Sequence, residues 1–333
     1  MPKKKSLTLQ RVLVLLLAYI MLAVCGGVAA SVLFVPGVIG ANKAAKAVIP
    51  SLKVENVDFD VTSLPQKSTM YARDGSTVIA TFYNQNRIVV PLKKISKTMQ
   101  QAVVAREDRR FWTHAGVDVQ GVMRAFVQTY LVKGSQQGGS SLTQQYVKNV
   151  LLMQAIEDDD SIAQYHATED TIARKIREML ISVQMEKKYS KAEILQGYLN
   201  IAQFGNNLYG VETAAQRYFS VSAADLNVVQ SATIAAITKN PSLYDPLVEE
   251  NQKESENQRN IVLKLMLQEG YITQKQYTEA VNTPLKDTLK AQDVNVGCQD
   301  TGDYAYFCDF VVHRIQNSEE FGKTRAERNK LLQ

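Results

Sequence analysis

Hydrophobic positions form one long run near the N-terminus and shorter periodic runs further along the chain. Residues 12–35 contain no charged side chain, and basic residues precede them at positions 3–11. Because about 20 apolar helical residues cross a bilayer core, this run predicts a transmembrane helix. The positive charges before it keep the N-terminus in the cytoplasm and place the rest of the chain outside. A cleaved signal peptide ending near residues 28–30 is the alternative, but its apolar region is usually shorter.

The pattern changes between Ser68 and Val90. The runs 70–73 and 77–83 flank Asp74-Gly75, a pair that is typical of a tight hairpin turn. Residues 87–90 are a candidate third strand. These residues predict a short N-terminal β element.

Beyond this element the hydrophobic positions recur with helical spacing. Apolar residues between 194 and 199 share one face, and Ser190 with Glu193 matches a capping box. Further helices are predicted over 171–187, 223–238 and 257–269. The pattern therefore predicts a mainly α fold with a small β element.

Acidic residues concentrate between 154 and 171 and interrupt the helical pattern. A cluster of this kind is usually a solvated loop, and a divalent-metal site is the alternative.

Cys298 and Cys308 lie ten positions apart, in a segment that the predicted topology exposes to an oxidising compartment. We expect a disulfide between them, with two unpaired thiols as the alternative.

Composition narrows the functional classes. The chain has 333 residues, 45% of them hydrophobic, which allows one or two domains with a sizeable core. The net charge of +5 is not gathered into a basic stripe, and no nucleic-acid module is present, so nucleic acid is not expected as a partner. A basic surface facing anionic lipid head groups is the more natural use of this charge.

The run EDRRFWTHAG carries the first candidate chemistry. Glu107 and Asp108 are adjacent carboxylates beside Phe111 and His114, an arrangement that is costly unless the charges are hydrogen-bonded or paired. Such a carboxylate can have its pKa raised towards the operating pH, which suits a general base. The alternative is a helix end whose surface acids pair with neighbouring arginines.

Two later runs supply groups that suit a sugar and phosphate ligand. Residues 137–145 combine glycines, hydroxyls and amides, and the cation Lys148 follows. The alternative is a polar loop that caps a helix. Arg174 and Glu178 lie four positions apart on a predicted helix, and the alternative for them is a structural ion pair on its surface.

Taken together, these runs resemble the family 51 glycosyltransferases, the peptidoglycan glycosyltransferase domain of class A penicillin-binding proteins. The matching runs occur in the family's order and span about residues 70–285. They read EDRRFWTHAG, GGSSLTQQYVKN, RKIRE, KAEILQGYLNIAQFGNNLYGVETAAQRYF and NPSLYDP. The resemblance implies a mainly α, lysozyme-like fold with a smaller membrane-proximal lobe.

The resemblance also implies roles for individual residues. Glu107 would be the general base that takes the proton from the 4-hydroxyl of the acceptor lipid II, in an inverting reaction that releases undecaprenyl pyrophosphate. Glu178 would be the second catalytic carboxylate and would help bind that pyrophosphate, directly or through a divalent ion. The implied substrate-binding residues are Asp108, Phe111, His114, Ser140, Gln144, Gln145, Lys148, Arg174, Arg177 and Asn200.

The implied cofactor is a divalent cation, Mg²⁺ or Mn²⁺, with no organic cofactor. The implied partners are lipid II, the growing glycan chain, the membrane, and other proteins of wall synthesis and division. Two further functions remain open, a lysozyme-like lytic glycosidase and a non-catalytic membrane-anchored scaffold of wall synthesis.

The expected organisation follows from the anchor and the resemblance. A transpeptidase domain would need an SxxK run, and the chain contains none. We therefore expect a linker towards an absent transpeptidase domain, in a truncated form of a bifunctional protein rather than a natural single-function enzyme. The expected segments are a cytoplasmic tail (1–11), a transmembrane helix (12–35), a juxtamembrane connector (36–66), a glycosyltransferase domain (67–285) and the linker (286–333).

Overall fold

The structure is a computed structural model that describes residue 59 and residues 64–83, 85–126, 138–292, 296–299 and 301–332. Residues 170–177 group apart from the other described residues and are treated by themselves. The predicted transmembrane run at 12–35 lies outside the described residues. Within the described residues, no helix is both long and apolar enough to cross a bilayer.

The N-terminal β element is a two-stranded hairpin at the predicted turn. Strand β1 (Ser68–Tyr71) pairs antiparallel with β2 (Val78–Phe82). Between them, the Asp74 carboxylate accepts hydrogen bonds from the backbone N–H groups of Ser76 and Thr77. This Asx-type turn fixes the hairpin, so the prediction from Asp74-Gly75 is confirmed.

The predicted third strand of this hairpin was wrong. Strand β3 is only Asn86–Arg87, and it pairs in parallel with β5 (Leu208–Tyr209), which pairs antiparallel with β4 (Gln203–Gly205). Beyond Arg87 the backbone bonds to side chains of the helical region, such as Asn200, instead of to a strand. The apolar run at 87–90 therefore lies against helices.

The rest of the described chain is mainly helical, which confirms the predicted class. The helices are α1 (Lys97–Glu107), α2 (Val119–Phe126), α3 (Leu142–Glu157), α4 (Ser161–Thr168), α5 (Ile172–Lys188), α6 (Lys191–Ile201), α7 (Val211–Phe219), α8 (Val228–Ile237), α9 (Gln252–Gln268), α10 (Gln274–Asn282), α11 (Leu285–Thr288), α12 (Ala305–Asn317) and α13 (Arg325–Lys330).

Helix α8 forms the centre of one packing group. It has no charged residue, it is buried from Ser231 to Ile237, and it packs against α1, α9 and α10. In a second group, α3 packs against α6. Gly197 of α6 allows this approach, because a Cβ there would lie 2.3 Å from Cζ of Tyr146. These two groups bring together the ends of α1, α3 and α8, which carry Glu107, Gln145 and Thr238.

The acidic segment at 154–171 is mostly helical, so the predicted solvated loop was wrong for most of its length. Helix α3 continues to Glu157, and only a short turn separates it from α4. The Asp160 carboxylate caps α4 by accepting the backbone N–H groups of Ile162 and Ala163. One acid of the cluster is therefore used as a helix cap.

Other helix predictions were correct in type and less accurate in their bounds. The capping box at Ser190 and Glu193 is present and starts α6 as predicted. The helix predicted over 223–238 begins only at Val228, because Asn227 caps it in a capping box of its own. The helix predicted over 257–269 begins earlier, at Gln252.

Cys298 and Cys308 form the predicted disulfide, with Cα atoms 5.4 Å apart. Cys308 is fully buried in a small cluster with Ile79 and Ala80 of β2. The segment predicted as a linker thus includes helices, and the disulfide joins α12 to a neighbouring segment that bridges to the hairpin through Val296.

Candidate active site

Glu107 is the last residue of α1, and its half-buried carboxylate is held by two neutral side chains. Nε2 of Gln145 donates to Oε2 over 2.8 Å, and Oγ1 of Thr238 donates to Oε1 over 2.8 Å. Gln145 comes from the first turns of α3, and Thr238 is the C-cap of α8. The ends of three helices therefore meet at this carboxylate.

The arginines beside Glu107 bond to other residues. This arrangement argues against the surface ion pairs that the sequence left open for Glu107. A carboxylate that is held by neutral donors keeps its capacity to accept a proton from a ligand. The partners are Gln258 for Arg106, Glu269 for Arg109 and Asp118 for Arg110.

Tyr198 of α6 also belongs to this cluster. Its hydroxyl donates to Oε1 of Gln145 over 3.2 Å, so the Gln145 amide connects Tyr198 to Glu107. Burial, and after it the negative charge of Glu107, raise the pKa of Tyr198 well above its ordinary value. The phenol therefore remains a proton donor at neutral pH.

The N-terminus of α3 is anchored by residues that sequence resemblance assigned to substrate binding. The Asp108 Oδ2 accepts the backbone N–H of Leu142 at 2.9 Å and lies 2.8 Å from Nε2 of His114. Gln144 completes a capping box with Ser141. Asp108 and Gln144 are almost fully buried, so their carboxylate and amide hold the helix that carries Gln145.

Phe111 and His114 pack together next to Asp108, which lies 2.8 Å from the ring of His114. Phe111 is fully buried, and Nζ of Lys191 lies 4.5 Å from its ring centroid. The ammonium of Lys191 bonds to Glu186 at 2.7 Å and lies 3.5 Å from Nδ1 of His114. Each of these groups has a partner inside the protein, as buried charges require.

Gly116 brings the loop after His114 close to α5. Its φ is +87°, a conformation that favours glycine, and a Cβ there would lie 2.7 Å from the carbonyl carbon of Ser182. The hydroxyl of Ser141 donates to the Gly116 carbonyl over 2.6 Å. The loop is therefore tied both to α5 and to the start of α3.

Asn200 is fully buried and braces the backbone at Val90. Its Nδ2 donates to the Val90 carbonyl over 2.9 Å, and its Oδ1 accepts the Val90 N–H over 2.9 Å. Nδ2 also lies 2.8 Å from the carbonyl of Gln196. The side-chain amide of Asn200 therefore has a structural role, because it bonds to the backbone of Val90 and Gln196.

Three other candidates are Ser140, Lys148 and Glu178. Ser140 precedes α3, and Lys148 follows Gln145 by three positions on the same face of α3; both are partly exposed. Glu178 of α5 is 2% exposed. The described residues contain no group of three or more acidic, histidine or cysteine side chains placed to hold a metal ion.

Arg174 and Arg177 lie in the segment 170–177, which is described by itself. Within it, the backbone N–H of Arg174 donates to Oγ1 of Thr171 over 3.1 Å. Nη2 of Arg174 lies 3.9 Å from the exposed carboxylate of Asp170. The proposed phosphate-binding role of these arginines stays a prediction.

Comparison with known proteins decides the family. The chain matches the model of the transglycosylase family over residues 75–267, more than half of its length. The chain belongs to this family. The resemblance to peptidoglycan glycosyltransferases of class A penicillin-binding proteins, and the enzyme class that it implied, are therefore confirmed.

Similar curated proteins agree with this assignment. Penicillin-binding protein 4 of Bacillus subtilis is 38% identical over 81% of this chain and 40% of its own length. Penicillin-binding protein 1A of Aquifex aeolicus is 39% identical over 69% of this chain and 29% of its own length. The transglycosylase chain thus spans less than half of these relatives.

A crystal structure of penicillin-binding protein 1A from Haemophilus influenzae is also similar. The match covers 78% of this chain and 26% of that chain, with 24% sequence identity and a TM-score of 0.41.

Sequence reasoning missed two side chains that bond within the candidate site at Glu107. Tyr198 was assigned only to the apolar face of α6, and nothing local distinguishes its phenol from a core residue. Thr238 sits at the C-terminal end of α8, just before Lys239-Asn240-Pro241. A hydroxyl at a helix end can reach beyond the helix, but this signal alone would not have selected it.

Proposed function

We propose that this transglycosylase polymerises lipid II into β-1,4-linked glycan strands, with Glu107 as the general base. The observation that carries the proposal is the arrangement at Glu107. Both of its oxygens accept hydrogen bonds from neutral side chains, and its neighbouring arginines bond elsewhere. The carboxylate is therefore fixed in place and is not neutralised by a charged partner from its own helix end.

In the proposed reaction, Glu107 accepts the proton of the acceptor's 4-hydroxyl. The hydroxyl oxygen attacks the anomeric carbon of the growing chain as the bond to the pyrophosphate breaks. The electron pair of that bond leaves with undecaprenyl pyrophosphate, and the configuration inverts. A single displacement by the hydroxyl requires one base and a stabilised leaving group, so no carboxylate has to act as a nucleophile.

Cations are proposed to stabilise the charge that develops on the pyrophosphate. Lys148 is supported by its position one turn after Gln145 on α3. Arg174 and Arg177 are assigned to the same task by family resemblance, and Ser140 is assigned with Gln145 to sugar and phosphate contacts. Preorganised charges of this kind lower the barrier because they need no rearrangement during the reaction.

We propose from the family resemblance that Glu178 helps to hold a divalent cation, Mg²⁺ or Mn²⁺, together with the substrate pyrophosphate. The described residues hold no cluster of three ligating side chains, whereas Mg²⁺ commonly binds one or two carboxylates together with substrate phosphates. Glu178 would be that carboxylate. When bound, the ion would supply positive charge to the leaving pyrophosphate.

The proposed location is the outer face of a bacterial membrane. The apolar run at 12–35 would anchor the chain, with the N-terminus in the cytoplasm and the catalytic residues outside. The bond between Cys298 and Cys308 supports an oxidising compartment. We also propose the lysozyme-like core with a smaller membrane-proximal lobe, and contacts with other proteins of wall synthesis and division.

The function is tested by incubating the detergent-solubilised full chain with lipid II, with and without Mg²⁺. We expect glycan strands that a gel resolves as a ladder and that a muramidase specific for β-1,4 linkages digests. Binding of lipid II without any strands would instead support the scaffold hypothesis. Release of sugars from purified wall material, without polymerisation, would support the lytic glycosidase.

A further inference from the structure

Tyr198 lies on the apolar face of α6, yet its hydroxyl reaches the candidate site. The side chain is 2% exposed, and its hydroxyl oxygen lies 3.2 Å from Oε1 of Gln145. On the other side of the same amide, Nε2 of Gln145 lies 2.8 Å from Oε2 of Glu107. Side chains from α6, α3 and α1 therefore form one chain of hydrogen bonds that ends at the carboxylate.

The chemistry of these groups gives the hydrogen-bond chain a direction. An ionised carboxylate only accepts hydrogen bonds, so Glu107 selects the NH₂ side of the Gln145 amide. The amide oxygen then faces Tyr198, whose hydroxyl supplies the proton. Burial and the charge of Glu107 raise the pKa of Tyr198, so this proton stays on the phenol at neutral pH.

The Gln145 amide could also be turned by half a turn, with its oxygen towards Glu107 and its NH₂ group towards Tyr198. A protonated Glu107 is compatible with this orientation, but Tyr198 is not. After Glu107 takes a proton it could donate to an amide oxygen, and the Gln145 amide could then turn over. The NH₂ group would face the phenol, whose proton would lose its acceptor. Among the described residues, Oε1 of Gln145 is the acceptor that the structure provides for this hydroxyl. A buried donor without an acceptor is costly, so Tyr198 opposes the inversion.

We propose that Tyr198 is a positioning residue for the glycosyl transfer: through Gln145 it keeps an N–H donor on Oε2 of Glu107 throughout each proton transfer. The inference rests on the proposed role of Glu107 as general base. No proton passes along the chain, since Tyr198 and Gln145 keep theirs. The gain lies in orientation, because a base must stay within hydrogen-bond reach of the hydroxyl that it deprotonates.

Tyr218 offers a matched control for Tyr198→Phe. It is 1% exposed, and its hydroxyl donates to a backbone carbonyl, that of Phe204, over 2.8 Å. Tyr198→Phe and Tyr218→Phe each remove one buried phenol hydrogen bond, but only the first removes a bond to Gln145. Urea unfolding of both variants measures the shared structural cost separately from catalysis.

Steady-state polymerisation of lipid II then tests the proposal. For Tyr198→Phe we expect kcat to fall about tenfold, or about 1.4 kcal/mol of activation free energy, with KM within about twofold of the parent. For Tyr218→Phe we expect kcat within about twofold of the parent, because its hydrogen bond lies outside the chain that reaches Glu107.

A double-mutant cycle asks whether Tyr198 acts through Gln145. Gln145→Met removes the amide while keeping an unbranched side chain of similar length. In that background we expect Tyr198→Phe to change kcat by less than about twofold, because the orientation that Tyr198 imposes has been lost already.

Two results would overturn the inference. One is a kcat for Tyr198→Phe that equals that of Tyr218→Phe, and the other is an undiminished effect of Tyr198→Phe in the Gln145→Met background. Both results require an active parent enzyme, so they differ from failure of the proposed function. That failure would appear as a parent without polymerisation, or as full activity after loss of the Glu107 carboxylate.

Discussion

The carboxylates of Glu107 and Asp108 are adjacent in sequence but bond to different parts of the protein. Glu107 is half buried and accepts hydrogen bonds from the side chains of Gln145 and Thr238. Asp108 is 5% exposed and bonds to His114 and to the N-terminus of α3. Glu107 is therefore placed to exchange a proton with a substrate. Asp108 instead holds the N-terminus of α3, the helix whose Gln145 bonds to Glu107.

Replacing Asp108 should lower stability. Asp108→Ala leaves the backbone N–H of Leu142 and the ring of His114 without their acceptor, which should reduce the free energy of unfolding by about 1–3 kcal/mol. Urea unfolding measures this loss. Asp225→Asn, at an exposed position, is the control. An unfolding free energy for Asp108→Ala equal to that of the control would show that the anchor contributes nothing.

The hydroxyl of Thr238 should be needed for full activity. Oγ1 lies 2.8 Å from Oε1 of Glu107 and 2.9 Å from the carbonyl oxygen of Ala235, but it has only one proton. It can donate to an ionised Glu107, or donate to Ala235 and accept from a protonated Glu107. Thr238→Val should lower kcat about tenfold, whereas Thr238→Ser should retain most of it. Equal rates for the Val and Ser variants would contradict this role.

Local signals explain why some features could be predicted from the sequence. The Asp74-Gly75 turn and the Ser190 capping box depend on residues within a few positions of each other, so their patterns are visible. The bond between Thr238 and Glu107 joins residues 131 positions apart, and no local pattern encodes it. The parallel pairing of β3 with β5 is similarly distant, which is why residues 87–90 were misassigned to the hairpin.

Replacing Asn200 should lower the stability of the fold rather than the affinity for substrate. Asn200→Ala leaves the N–H and carbonyl of Val90 without their side-chain partners in a fully buried place, and each lost partner costs about 1–3 kcal/mol. Thermal unfolding should show a clear loss. An unchanged melting temperature with a raised KM for lipid II would instead support the substrate-binding role implied by the family resemblance.

The disulfide should stabilise the C-terminal segment. Cys298 and Cys308 close a loop of ten positions, for which the chain-entropy estimate is about 2–3 kcal/mol. Cys298→Ser should therefore lower the midpoint of urea unfolding, and a reducing agent should lower the midpoint of the parent but not that of the variant. A parent that is insensitive to reduction would contradict this prediction.

The most direct test of the account is the polymerisation rate of Glu107→Gln with lipid II, beside the parent and Glu250→Gln, which alters an exposed glutamate. The amide keeps the size of the side chain but cannot take a proton from the acceptor hydroxyl. We predict that Glu107→Gln loses at least about two orders of magnitude in kcat, the usual scale for a general base, while Glu250→Gln matches the parent. Full activity in Glu107→Gln would contradict the assignment of the base.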